Sequence, residues 1–180
     1  MEVMFTKLEH PFEKPIYAVT NQLKDFRGED GKGIDYKLIW TPEAQKIYGV
    51  LPERYWQDFH LTIMTIDCII PPHTDTEIIT SINFYLQTEG CTTTFYKPKN
   101  DITNTVQIKN QTNGQIFYED DLVEVDSFVA KDNEVWLLDV SQIHGVKGEF
   151  NLRKAITLGT FIHKYEDVLE MLKETNNVVC

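Results

Sequence analysis

A chain of 180 residues matches one domain of ordinary size, and its 42% hydrophobic, 25% charged and 12% aromatic content excludes a disordered or fibrous chain. Seventeen Lys and Arg against 28 Asp and Glu leave a formal charge of −11, which opposes binding to a phosphate backbone or an anionic membrane surface. The three cysteines, Cys68, Cys91 and Cys180, are far apart and form no CxxC pair, which fits reduced thiols rather than a disulfide framework or a cysteine zinc site.

The start, Met1 to His10, is acidic and has no apolar stretch of signal-peptide length. No later run approaches the roughly 18 apolar residues of a membrane helix. The expectation is a soluble, cytoplasmic single domain over 1–180. Residues 1–60 read as a mixed helical N-terminal support: Thr41-Pro42 caps and opens a short helix through Tyr48, closed by Gly49, and a second short helix fits Glu53 to Phe59.

Beyond residue 60, β-branched and aromatic residues gather in short runs separated by Gly, Pro, Asn and Asp, which predicts strands. They are placed at 61–70, 73–76, 80–87, 91–96, 105–109, 115–118, 122–129, 134–139, 144–148 and 153–162. The polar stretch 97–114 reads as an insertion at the edge of this β core, and Asn113-Gly114 as a hairpin turn within it. The acidic group Glu119, Asp120, Asp121, Glu124 and Asp126 reads as a solvated face. Val168, Leu169, Met171 and Leu172 recur at helical spacing and predict a C-terminal helix, within 163–180, on the outside of the sheets.

Five histidines are present: His10, His60, His73, His144 and His163. In Pro72-His73-Thr74-Asp75, strand alternation sends His73 and Asp75 to the same side, about 7 Å apart along the backbone. With five His and 13 Asp, about 0.4 such pairs arise by chance, so the pair needs support. His144, just beyond the apolar strand 134–139, supplies a third ligand, and two His with one carboxylate suit non-haem Fe(II) with open coordination positions. His10, His60 and His163 have no acidic residue at ligand spacing, Asp139 shapes the turn before His144, and Cys91 is a small apolar filler.

Arg153 follows His144 by nine residues in a chain with only three arginines. Alternation places Arg153, Ala155, Thr157 and Gly159 on one face, a guanidinium above small residues. A planar fork of N–H donors suits a carboxylate, and a 2-oxo dicarboxylic acid could meet Arg153 at its far end.

With these residues in hand, His73-Thr74-Asp75, His144 and Arg153 resemble the iron- and 2-oxoglutarate-dependent dioxygenases, nearest the prolyl-hydroxylase-type branch, over about Leu61 to Ile162. The resemblance implies a double-stranded β-helix, a cupin-like jelly roll of mainly β class with N- and C-terminal helices packed outside. It implies Fe(II) on His73, Asp75 and His144, and 2-oxoglutarate on Arg153 assisted by Tyr85 and Thr157. It further implies O2 as cosubstrate, succinate and CO2 as products, and hydroxylation of an unactivated C–H bond with no protein acid or base. The substrate expected is an amino acid, a peptide residue or another small metabolite. The nucleic-acid demethylase branch carries a second arginine six residues after the first, where this chain has Gly159. Two other readings stand beside it: a cupin-like metal enzyme that does not use 2-oxoglutarate, and a non-catalytic jelly-roll binding module.

Overall fold

The computed structural model describes residues 3–9, 19–27, 33–39, 41–75, 77–100, 105–107, 114–148 and 152–175. Thirteen strands among them form two antiparallel sheets. In chain order these are β1 (Phe5–Leu8), β2 (Val19–Arg27), β3 (Gly33–Ile39), β4 (His60–Ile66), β5 (Ile70–Thr74), β6 (Thr80–Gln87) and β7 (Thr92–Pro98). They continue as β8 (Thr105–Gln107), β9 (Gln115–Phe117), β10 (Leu122–Val129), β11 (Val135–Asp139), β12 (His144–Lys147) and β13 (Arg153–Thr160). The first sheet runs β1-β11-β6-β13-β4-β3-β2 and the second β10-β7-β12-β5-β9-β8.

Alternation along β6 shows how the layers form. Ile82, Phe84 and Leu86 face away from the second sheet and join a core with Ile156 and Leu158 of β13 and the helical segments. Those segments are α1 (Pro42–Gln45), which continues as a 3-10 turn over Lys46–Val50, a 3-10 turn over Glu53–Asp58, and α2 (Tyr165–Glu174). From α2, Val168, Met171 and Leu172 are buried in this layer, each worth about 1.5–3 kcal/mol on full burial. The opposite faces of the sheets meet over a second core that includes Tyr85, Phe95, Leu138, Val146 and Ala155.

The N-terminal reading needs correction. Residues 1–60 supply three strands to the first sheet as well as short helical turns. In β3 the alternation Ile34-Asp35-Tyr36-Lys37-Leu38 is the period-two signal of a strand, and β3 pairs with β4 in register Tyr36 to Met64. The helix expected through Tyr48 is α-helical only to Gln45, and the segment at Glu53 is a 3-10 turn.

Three boundaries also shift. The strand expected over 61–70 stops at Ile66, and β5 starts at Ile70 and takes in both prolines, so Asp75 lies one residue past its end. The last strand ends at Thr160 rather than 162. The strands β8 and β9 pair antiparallel, as a hairpin between them requires, and extend the second sheet at its edge. Residues 101–104 and 108–113, with His10 and Cys180, lie outside the described residues.

The acidic group is exposed, and Lys147 lies 2.5 Å from Glu119 and 3.8 Å from Glu124. Cys91 is buried as expected, and burial pushes its thiol pKa up. No helix among the described residues is long and apolar enough to cross a membrane.

Candidate metal and anion site

His144 is the first residue of β12 and stands opposite His73 of β5 in the ladder. The two strands approach closely at Gly145, where a Cβ would come within 2.9 Å of the Ile70 carbonyl oxygen. The imidazole centroids are 4.3 Å apart. The turn before His144 is tied by Asp139, whose carboxylate accepts from the Ser141 backbone N–H at 3.2 Å, the Ser141 hydroxyl at 2.5 Å and the Gln142 amide at 3.3 Å. Asp139 therefore shapes the turn, as its position predicts, and its oxygens are engaged there.

Each imidazole is oriented through its Nδ1, which lies 2.8 Å from the Pro71 carbonyl oxygen for His73 and 2.9 Å from that of Gln142 for His144. A carbonyl only accepts, so both Nδ1 atoms carry the proton and both Nε2 lone pairs are available to a metal. His73 Nε2 is 3.6 Å from Asp75 Oδ1, and the ligand atoms of His73, Asp75 and His144 all lie within 4.8 Å of one another. Burial, reinforced by His73 and Arg153, pushes the His144 pKa down to about 3 against the bond to Gln142, which raises it. His144 is thus a neutral donor throughout the physiological range. Among the described residues this is the one cluster of His, Cys, Asp or Glu able to hold a metal ion.

Across the gap, Arg153 opens β13 and is 2% exposed. Its Nη2 donates to the Tyr85 hydroxyl at 2.6 Å and to Thr93 Oγ1 at 2.8 Å. The guanidinium carbon lies 4.7 Å from the Tyr85 ring centroid. Its Nε and Nη1 are buried without a hydrogen-bond partner among the described residues, and no ion pair to Arg153 occurs among them. The Tyr85 oxygen also accepts from the Asn83 amide at 3.4 Å. With its oxygen serving two N–H donors, the Tyr85 O–H is left to donate elsewhere.

Both halves line one cavity of about 60 Å³. His73, Asp75 and His144 reach it from the second sheet, and Tyr85, Arg153 and Thr157 from the first. All six residues singled out in the sequence are therefore brought together. Thr157 shares a 2.6 Å hydrogen bond with Thr62, so its hydroxyl also serves the β4–β13 pair. Ile70, Ile78, Val140 and Val146 form apolar walls.

Sequence reasoning missed several wall residues. Ile34 and Tyr36 come from β3, and Thr93 comes from β7, on the sheet opposite the arginine it contacts. Ser81 and Asn83 also line the cavity, on the face they share with Tyr85 by the alternation of β6. His163 has the ordinary structural role its context predicts: it lies away from the cavity and its Nε2 is 2.9 Å from Asp58, 105 residues away in the chain.

No family model matches the chain, and no curated protein matches it. Among solved structures, the X-ray structure of E. coli ycfD is similar over 94% of this chain at 14% identity, with a TM-score of 0.42. The chain spans 44% of that protein.

Proposed function

We propose that this chain is an Fe(II)- and 2-oxoglutarate-dependent oxygenase built on a jelly roll, hydroxylating an unactivated C–H bond of an amino acid, a peptide residue or another small metabolite. The observation that carries the reading is Arg153: a buried guanidinium with two unmatched nitrogens, facing a His-Asp-His cluster across one small cavity. A buried cation without a counter-charge costs several kcal/mol. A carboxylate delivered by a ligand would remove that cost, and the planar fork suits it.

The strand order supports the jelly roll. Taking β4, β5, β6, β7, β10, β11, β12 and β13 alone, one sheet reads β11-β6-β13-β4 and the other β10-β7-β12-β5. Successive strands thus cross between sheets at every step except β7 to β10, the interval that contains the β8–β9 insertion.

The donor set fits Fe(II): two neutral imidazole nitrogens and a carboxylate oxygen occupy part of an octahedral metal and leave the rest open. When bound there, Fe(II) supplies the oxidative chemistry in which O2 and 2-oxoglutarate yield succinate, CO2 and a hydroxylated product. The chain's own part is holding and shielding. His73 and His144 keep their protons on Nδ1, away from the metal side. Arg153 and the Tyr85 O–H bind and orient the distal carboxylate. Ile70, Ile78, Val140 and Val146 exclude water from the space between the two half-sites. The −11 charge favours a substrate other than nucleic acid.

The test is succinate release from anaerobically Fe(II)-loaded protein given 2-oxoglutarate and O2, with amino acids and peptides screened for stimulation. The wild-type protein should release succinate above an iron-only control, and His73→Ala and Arg153→Ala should not. No succinate under any condition refutes the oxygenase reading. Full turnover by Arg153→Ala, with metal binding intact, points instead to a metal enzyme that does not use 2-oxoglutarate.

A further inference from the structure

Strand β5 carries His73 and hands Asp75 to the cavity one residue past its end. On one side it pairs with β12, which brings His144 opposite His73. On the other it pairs with β9, with Ile116 opposite His73 and Gln115 opposite Thr74. The metal-ligand strand is therefore an inner strand because the β8–β9 insertion covers it.

The contact is tightest just before β9. Gly114 has a φ of +87°, and a Cβ built on it would stand 1.5 Å from the Thr74 carbonyl oxygen, 2.7 Å from the Thr74 carbonyl carbon and 3.5 Å from the Asp75 nitrogen. The Thr74–Asp75 peptide thus occupies the space where any other residue would carry its side chain. From a different element, the Val140 carbonyl accepts the Asp75 N–H at 3.2 Å. The backbone that aims the Asp75 carboxylate is held between these two contacts.

We infer that Gly114 is a positioning residue of the metal site: its bare α-carbon lets β9 brace the Thr74–Asp75 peptide, which sets the Asp75 carboxylate against His73 and His144. The inference rests on the metal-site reading given above. Any side chain at Gly114 forces that peptide and the start of β9 apart, because the obstructing atoms are backbone and cannot rotate aside. Displacing the support of a ligand typically costs 10–100-fold in metal affinity.

A glycine at positive φ also has a purely conformational reason to be there, and Gly90 separates the two. Gly90 has a φ of +75°, yet a Cβ on it meets no heavy atom within 4 Å. The experiment is Co(II) titration of the metal-free protein, followed by its visible absorption, together with thermal unfolding of the metal-free forms. Gly114→Ala should raise the Co(II) dissociation constant about 10–100-fold and alter the absorption spectrum. Gly90→Ala should lower the unfolding temperature and leave the Co(II) affinity unchanged. Gly114→Asn keeps the collision while tolerating positive φ, so it reports on the site even if the alanine variant does not fold. Co(II) binding by folded Gly114 variants as tight as wild type overturns the inference while leaving the metal site standing. Failure of the wild-type protein to bind Co(II) overturns both.

Discussion

Replacing Arg153 with methionine should make the ligand-free protein more stable and its 2-oxoglutarate complex much weaker. The guanidinium is 2% exposed, and only Nη2 has partners among the described residues, the hydroxyls of Tyr85 and Thr93. Taking a lone cation out of water costs several kcal/mol, and two hydrogen bonds to a charged group return about 1.5–3 kcal/mol each. These two nearly cancel, and replacing buried charged groups by apolar side chains of similar volume stabilises by about 1–4 kcal/mol; methionine fills most of the volume, and a gain of about 1–3 kcal/mol is expected. At about 2–4 °C per kcal/mol for a chain of this size, the unfolding temperature of metal-free Arg153→Met should rise by about 2–12 °C. With ligand the sign reverses. Two charge-assisted bonds to a carboxylate are worth about 3–6 kcal/mol together, so affinity should fall about 10²–10⁴-fold. Thermal unfolding of the metal-free protein reads the first effect, and that of the Mn(II)-loaded protein with and without 2-oxoglutarate reads the second. A variant that is less stable when ligand-free, or that keeps the wild-type shift with 2-oxoglutarate, refutes the argument that this arginine awaits an anion.

Metal binding should stabilise the fold: at about a hundred times its dissociation constant, Mn(II) contributes about 2.7 kcal/mol. That corresponds to a rise of about 5–11 °C, reversed by chelator and absent in His73→Ala. The metal-free protein should lose stability as pH falls from 6.5 towards 3, because the unfolded chain takes up a proton on His144 that the folded protein refuses until about pH 3. The slope reaches about 1.4 kcal/mol per pH unit, nothing is lost above the unfolded value, and urea unfolding should show a flatter profile for His144→Gln. Leu172→Ala on α2 removes a side chain that is 0% exposed and distant in the fold from the metal cluster. It should cost about 2–5 kcal/mol in urea unfolding and leave the Co(II) affinity of the folded protein unchanged.

The parts of this site legible in the sequence are those governed by strand alternation. Alternation put Arg153 and Thr157 on one face of β13, while Tyr85 came from the resemblance, with alternation along β6 permitting it; the structure has all three on the cavity. Alternation names a face but not a neighbour. That Thr93 would touch Arg153, 60 residues later, depends on how two sheets stack. The same limit hid the Asp58 partner of His163 and the pairing of β3 with β4. Gly114 shows a related limit. A local turn signal was visible, but the demand for glycine at 114 comes from a distant peptide, Thr74–Asp75, pressed against it.

The two half-sites sit on opposite sheets, so their separation is a property of the packing between the sheets rather than of any one loop. Arg153 belongs to the first sheet and is held there by Tyr85, yet its other partner, Thr93, belongs to the second, the sheet that also carries His73 and His144. A single guanidinium is thereby referenced to both layers. Beneath it, Ala155 and Phe95 are both 0% exposed, which leaves no slack for one sheet to slide on the other without opening a void. On the proposed reading, a cavity of about 60 Å³ between two such fixed points would favour a ligand of matching length, with a metal-binding group at one end and a carboxylate at the other. Length discrimination then follows from the core: a shorter diacid leaves one end unmatched, and a longer one must separate the layers that bury Ala155 and Phe95.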